Sequence, residues 1–399
     1  MPMQWVSVSA TDSNLTDAIT KAADRLLDSL GREPDLLLIF VAGNHRSQFP
    51  SIPALLRQEF VAATLFGCLC QNSIGDGREH EDQSAITLMG AILPDVTLRV
   101  AHLEQTQLPP TYAERSLWDS RLDLTDAPEC MLLLAAPFTV EIEPYLKGLD
   151  RHYPDVGKIG GFASGVDQPG TPCLLVNDQT YTSGLIMLTM SGNVAVDTLV
   201  AQGCRPIGDP MFANNTHENL IIELDGKVPR DVLTELHAKL SRADRQLFTN
   251  SLFMGVAMEI QREQYAAGDF LVRAILGLDP QSGALWINSP VPQHSVVQLH
   301  VRDATTSAQD LELLLHRYRA SPNSSKAAGA VLLSCLSRGV NLYDQSNHDS
   351  NAFVQALGDI PLGGCFCNGE IGPVRGLTYL HSFTSVFGVF REKNKKETH

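Results

Sequence analysis

The chain has 399 residues, 44% of them apolar and 19% charged, and a net charge of −15. That is material for two domains or one large layered domain, with the composition of a globular chain rather than a disordered or fibrous one. The negative balance argues against a nucleic-acid partner, and no apolar run reaches the roughly 20 residues a bilayer-crossing helix needs, so a membrane partner is not expected either.

Met3 to Ala10 predicts a first strand, and Ala18 to Leu30 an amphipathic helix with Ile19, Ala22, Leu26 and Leu30 on one stripe and Gly31 as its stop. Asp35 to Ala42 reads as a strand buried on both faces. Gly43-Asn44-His45-Arg46 then lies at its carboxyl end, where crevices form in α/β sheets. A helix over Ile52–Phe60 and a strand over Thr64–Cys70 lead into a glycine turn. Strands follow at Ala85–Leu93 and Val96–Glu104. Gln105–Pro128 is a connector with one short helix around Tyr112–Trp118. A second unit runs from Met131 to about Gly203. We place the boundary between Gly203 and Asn219, which divides the chain into an N-terminal domain over 1–210 and a C-terminal domain over 211–399. Beyond it come a strand at Asn219–Leu224, a helix at Arg230–Leu240, a strand or buried segment at Leu252–Gln261, and strands at Phe270–Leu278, Ala284–Ile287 and Val296–Arg302. Thr305–Tyr318 is a helix. The basic cluster Lys393-Asn394-Lys395-Lys396 reads as a solvated tail. Residues 1–30 lack the charged start and apolar core of a signal peptide, so the eight cysteines are expected to be free thiols in a cytoplasmic protein.

The sequence resembles itself. Phe66–Gly77 reads FGCLCQNSIGDG and Gly363–Val374 reads GGCFCNGEIGPV. A degenerate third version is Ile159-Gly160-Gly161-Phe162-Ala163-Ser164-Gly165. Each follows a short apolar run, at Leu36–Val41, Met131–Ala136 and Ala330–Cys335, and each leads to another apolar strand. The expected fold is therefore α/β, with mixed sheets packed in layers and helices outside. It is built from a strand–helix–strand–strand unit used three times, with two large sheets face to face. The densest polar stretch, Pro361–Arg391, reads as strand, exposed turn, strand, with Glu370 held between Gly369 and the Ile371-Gly372 pair.

The C-terminal residues, Leu333-Ser334-Cys335-Leu336-Ser337-Arg338-Gly339, then Gly363–Pro373 and Leu380–Thr384, resemble the C-terminal half of the FIST domain (F-box and intracellular signal transduction). Asp35–Val41, Leu65–Cys68 and Gly75 resemble its N-terminal half. The resemblance spans roughly Asp35 to Arg391 and implies a sensory module for small ligands, amino acids among them, in signalling proteins. Its eukaryotic members include F-box proteins that recruit substrates for ubiquitylation. No F-box, kinase or cyclase segment is recognisable in the sequence, so a stand-alone FIST protein is expected.

The ligand-binding residues are expected at the three glycine turns. They are Cys68, Asn72 and Gly75 in the first, Gly160 and Gly161 in the second, and Cys365, Cys367, Asn368, Gly369 and Glu370 in the third, with Arg338, His381 and Thr384 beside it. Arg338 suits a ligand carboxylate and Glu370 an ammonium, together a zwitterion; the alternatives are that Arg338 pairs with Glu370 itself and that Glu370 caps neighbouring backbone N–H groups. The Cys-x-Cys pairs read first as residues sharing an apolar strand face, with soft-metal binding and a redox thiol as alternatives. Asn72 and Asn368 suit hydrogen bonds to their own turns as well as to a guest, and His381 suits a satisfied core histidine. No catalytic residue, metal or cofactor is assigned. The expected function is intracellular sensing of a small molecule in a cleft between the N- and C-terminal halves, with a signalling protein as partner. A protein-interaction adaptor and a thiol- or carboxylate-dependent enzyme are the other readings.

Overall fold

A computed structural model describes residues 2–259, 262 and 264–393. Residues 394–396 of the basic cluster, and the end of the segment foreseen over Leu252–Gln261, lie outside them.

The first repeat supplies β1 (Gln4–Ala10), α1 (Leu15–Leu30), β2 (Leu36–Ala42), α2 (Ile52–Glu59), β3 (Thr64–Cys70), the short hairpin β4 (Ser73–Gly75) and β5 (Arg78–His80), and β6 (Ala85–Ile92). The second supplies β7 (Val96–Leu103), α3 (Arg115–Arg121), β8 (Cys130–Ala135), α4 (Ile142–His152), β9 (Gly157–Phe162), the hairpin β10 (Leu174–Val176) and β11 (Gln179–Tyr181), and β12 (Leu185–Gly192). The third opens with β13 (Ala195–Ala201) and is then interrupted. The interruption carries β14 (Cys204–His217), β15 (Leu220–Leu224), α5 (Pro229–Lys239), α6 (Arg242–Asn250), β16 (Leu252–Ala257), β17 (Phe270–Leu278), β18 (Leu285–Ile287) and β19 (Val296–Arg302). After α7 (Ala304–Arg319) the repeat resumes with β20 (Gly329–Cys335), α8 (Val340–Tyr343), α9 (His348–Leu357), β21 (Leu362–Cys367), the hairpin β22 (Glu370–Val374) and β23 (Leu377–His381), and β24 (Ser385–Arg391).

Two compact units result. One holds residues up to Ala201, Glu312–Leu380 and those from Thr384 on; the other holds Gln202–Leu311 with His381–Phe383. In the second unit β14-β15-β18-β17-β16-β19 close into a barrel. Ile221, Leu224, Met254, Leu285, Ile287, Val297, Leu299 and Val301 form its core.

In the first unit the described strands make three six-stranded mixed sheets, ordered β1-β6-β2-β3-β10-β11, β7-β12-β8-β9-β22-β23 and β13-β24-β20-β21-β4-β5. Each repeat thus builds four strands of its own sheet and gives its hairpin to another. The first repeat completes the third sheet, the third completes the second, and the second completes the first. The same backbone bond secures each exchange: Phe366 N–H donates to Asn72 O, Phe162 N–H to Gly369 O and Leu69 N–H to Cys173 O, at 2.9, 2.9 and 2.8 Å. No repeat can satisfy its edge alone, so the three hairpins cover edges that would otherwise be open.

The central strands explain the apolar runs. Every residue of β2, Leu-Leu-Leu-Ile-Phe-Val-Ala, is buried between antiparallel β6 and parallel β3. In the parallel pairs Ile39 faces Gly67, Leu133 faces Gly160 and Leu332 faces Gly364. A Cβ at these glycines would lie 2.0, 2.1 and 1.9 Å from the opposing carbonyl oxygen. The glycines are there because nothing larger fits. Outside the sheets, Asn14 caps α1 through Asp17 N–H and Gly31 ends it at φ 71°.

The α/β class with mixed sheets and the threefold unit are borne out; the large sheets of that unit number three rather than two. The stretch around 204–217, read as a boundary, is a long strand. Its signal is masked by Pro206 and by Gly208 and Pro210, the latter two in a bulge between Ile207 and Met211. Helix α6 escapes sequence reading because it buries no residue fully.

Candidate ligand site

Counting along the matched registers, Cys68, Cys365 and Gly161 are equivalent, as are Cys70, Cys367 and Ala163. All six lie at the centre of the first unit, 0–1% exposed where side chains exist. Cys365 Sγ is 3.8 Å from Cys367 Sγ, and a Cβ on Gly161 would meet Cys367 Sγ at 2.6 Å. Hydrogen bonds to Cys367, Cys68 and Cys70, with burial added, push the Cys365 thiol well above its ordinary range. Burial likewise raises Cys70. Such thiols stay protonated and act as small apolar side chains. No group of three or more His, Cys, Asp or Glu side chains among the described residues has metal-holding geometry.

The polar chemistry gathers instead where β20 ends. Arg338 is fully buried. Its Nε and Nη2 donate to Asp349 at 2.8 and 3.1 Å, and Nη2 also donates to Tyr343 Oη at 2.6 Å. Asp349 further accepts from Ser385 Oγ at 2.6 Å and Ser334 Oγ at 3.3 Å, and lies 2.9 Å from His348 Nδ1. Burial opposes its ionisation, but Arg338 and His348 outweigh burial and hold Asp349 well below the usual carboxylate range. The first repeat's hairpin closes the cluster. Glu79 accepts from Ser350 N–H and Oγ at 2.8 and 3.0 Å in the first turn of α9, and Glu81 accepts from Val340 N–H at 3.0 Å. These are carboxylates at helix N-termini.

Glu370 was expected in an exposed turn beside or against Arg338. It is instead fully buried in β22, because that strand leaves its own sheet and pairs with β9, Glu370 opposite Gly161. Its Oε2 accepts from Thr384 N–H and Oγ1 at 3.2 and 2.8 Å, and Arg338 pairs with Asp349, not with Glu370. The Cys335 thiol lies close enough to both Arg338 and Glu370 to influence their ionisation. Three buried polar atoms here have no hydrogen-bond partner of proper geometry among the described residues: Arg338 Nη1, Glu370 Oε1 and Glu79 Oε2; the Gly369 N–H and the Cys335 thiol lie beside the Glu370 carboxylate, off line for a full bond.

The other foreseen residues fall into two groups. Gly369, at φ 118°, and Asn368 serve the hairpin exchange through their backbones, and Asn368 is exposed. Asn72 accepts from Asp82 N–H, closing the base of its own hairpin. Gly75 is packed on Thr87, Gly160 on Leu133 O as described, and His381 is buried at the end of β23. Asp349, Tyr343 and Glu79 were missed. Glu79 and Asp349 stand among polar sequence neighbours, Arg78-Glu79-His80-Glu81 and Asn347-His348-Asp349-Ser350, so nothing in the sequence marks them as buried. The repeat register also puts His45 and Thr139 where Arg338 stands. His45 is fully buried, with no hydrogen bond of proper geometry at either ring nitrogen among the described residues; burial lowers its pKa, and the nearby Asp12 backbone and charge offset part of that shift.

Burial pushes both Glu79 and Glu370 up to about 7; the charge of Asp349 adds to the shift of Glu79, and the hydrogen bonds of Thr384 limit that of Glu370. A carboxyl raised in the folded state holds its proton more tightly there than in the unfolded chain. Its protonation therefore favours folding, and that advantage is lost as the pH rises through about 7. Urea unfolding should show the two groups lowering stability by about 1–3 kcal/mol between pH 6 and pH 8. Glu79→Gln and Glu370→Gln should each flatten that slope; a slope unchanged in both variants would contradict the assignment.

Family models give the wider setting. The FIST N domain model matches residues 35–227 and the FIST C domain model residues 230–373. The chain belongs to the FIST family. FIST domains are associated with signal transduction and small-ligand sensing. An uncharacterized protein of Mycobacterium bovis is 30% identical over 381 residues, covering 95% of this chain and 97% of the relative. An F-box/LRR-repeat protein of Arabidopsis thaliana is 24% identical over 284 residues, covering 62% of this FIST chain and 52% of the plant protein. Among solved structures, a cyanuric acid hydrolase from A. caulinodans aligns over 98% of this chain and all of its own, at 8% identity and a TM-score of 0.37; that likeness carries no argument. No described helix is long and apolar enough to cross a membrane.

Proposed function

We propose that this FIST protein is an intracellular sensor that binds a small metabolite carrying both a carboxylate and an ammonium, an amino acid or a close relative, and passes its occupancy to a signalling partner without chemistry on the guest. The observation that carries this reading is the pair of unpartnered buried atoms, Arg338 Nη1 and Glu370 Oε1. Each costs about 1–3 kcal/mol while unmatched, and buried polar groups left so are commonly functional. Nη1 would donate to the guest's carboxylate, and Oε1 would accept from its ammonium. Both halves of the sequence contribute, since Glu79 and Glu81 hold the helices that carry Tyr343 and Asp349.

The test is a thermal-shift screen of amino acids beside their decarboxylated amines and deaminated acids. A zwitterion should stabilise the protein, and neither half-molecule should match it. Glu370→Gln should abolish the shift. Stabilisation by no compound, or stabilisation kept in full by Glu370→Gln, would overturn the site. Turnover of the stabilising compound would make the protein an enzyme.

A further inference from the structure

The outer face of the barrel is apolar where a solvated face should be polar. Strand alternation buries Ile221, Leu285 and Ile287 in the barrel core, so their neighbours point outward. Those neighbours are Ile222 and Trp286, 36% and 39% exposed, joined by Leu276 at 63%, in the bulge between Ile275 and Gly277, and by Phe212 at 50%. They lie on four consecutive barrel strands, β14-β15-β18-β17. Trp286 pairs with Leu220 on one side and Gly277 on the other. A side chain at Gly277 would meet nothing within 4 Å, so the ground beside the tryptophan is open. An aromatic flanked by aliphatic side chains and a bare backbone position is the make-up of an anchor point for a partner.

The charges around the band select the occupant. Glu218 and Asp225, at the two ends of β15, are exposed, and Glu223 and Asp279 are half-exposed. Of the neighbouring cations, Lys227 is engaged with Glu235 at 2.8 Å, and Arg230, beside the turn between β17 and β18, lies 3.9 Å from Asp231. A second copy of this chain would set one acidic rim against another, since a twofold contact presents the same patch to itself. We infer that this band docks a segment of another protein, apolar along one face and flanked by Lys or Arg. The inference stands apart from the small-ligand reading, since none of its residues belongs to that site.

Trp286 reports the docking directly, because Trp5 and Trp118 are 4% and 0% exposed. The full chain would be titrated with a synthetic helical peptide of Leu and Lys, and with its Leu and Glu counterpart, while Trp286 emission is followed. The Leu/Lys peptide should give a saturable blue shift and bind at least about 10-fold more tightly than the Leu/Glu peptide, a difference of about 1.4 kcal/mol. The double variant Ile222→Ser, Leu276→Ser keeps the reporter and should lose about 10-fold in affinity for the Leu/Lys peptide. Glu218→Lys with Glu223→Lys should weaken the same peptide without touching the apolar band. Equal affinity for both peptides, affinity unchanged in both double variants, or a concentration-dependent dimer of the chain that Leu276→Ser abolishes would each overturn the inference.

Discussion

Replacing Arg338 by Met is expected to destabilise the first compact unit by about 3–5 kcal/mol. The substitution keeps most of the volume and removes the charge. Asp349, 2% exposed at its side chain, would then sit buried with Ser334, Ser385 and His348 as its remaining partners. Burial of an unmatched carboxylate is the costly half of a broken ion pair. The intact pair is worth far less than that figure, because two desolvated charges largely cancel their own attraction. Adding Asp349→Asn to Arg338→Met should therefore recover most of the loss, since a neutral amide needs no counter-charge. Urea unfolding followed by the emission of Trp5 and Trp118, both in this unit, measures it. A loss below about 1 kcal/mol for Arg338→Met would mean that the buried pair does not hold the end of β20.

The second large effect belongs to Gly364. A methyl there would stand 1.9 Å from Leu332 O, on a residue whose φ is 153°. The neighbour is backbone in a central strand pair, so it cannot turn aside as a flexible side chain would. Gly364→Ala should cost about 3 kcal/mol or more, and Gly67→Ala and Gly160→Ala, with the same close approach, should cost similar amounts. Gly268, where a Cβ would meet nothing closer than 4.0 Å, supplies the control. Thermal unfolding of the four variants decides it. A benign Gly364→Ala beside a damaging Gly160→Ala would break the equivalence of the repeats.

These two cases also show what the sequence could and could not disclose. The glycines, the paired cysteines and the three apolar runs are local signals with period and spacing, so the repeated unit was legible. Most of the barrel strands were too, because their alternation is plain. The hairpin exchange was not, since residues such as Glu370 and Ile371 carry no mark that they pair with Gly161 and Gly160 rather than with their own strand. Ring closure among three repeats decides that pairing. Asp349 was invisible for a related reason. It reaches Arg338 only because Asp344 and Asn347 adopt positive φ, at 51° and 60°, and so swing α9 back toward β20. Arg338 and Glu370 were legible as charges in an apolar setting, but their partners were not.

Arg338 Nη1 and Glu370 Oε1 are proposed to receive the two ends of a zwitterionic guest. Calorimetric titration of the stabilising amino acid into the wild-type chain at pH 6 and pH 8 tests it most directly, with Glu370→Gln alongside. The carboxylate form of Glu370, favoured above about 7, is the one that accepts an ammonium, so affinity should rise from pH 6 to pH 8 in the wild type and be weak and pH-independent in the variant. Binding of equal strength in both proteins at both pH values would rule out Glu370 as the acceptor of the ammonium.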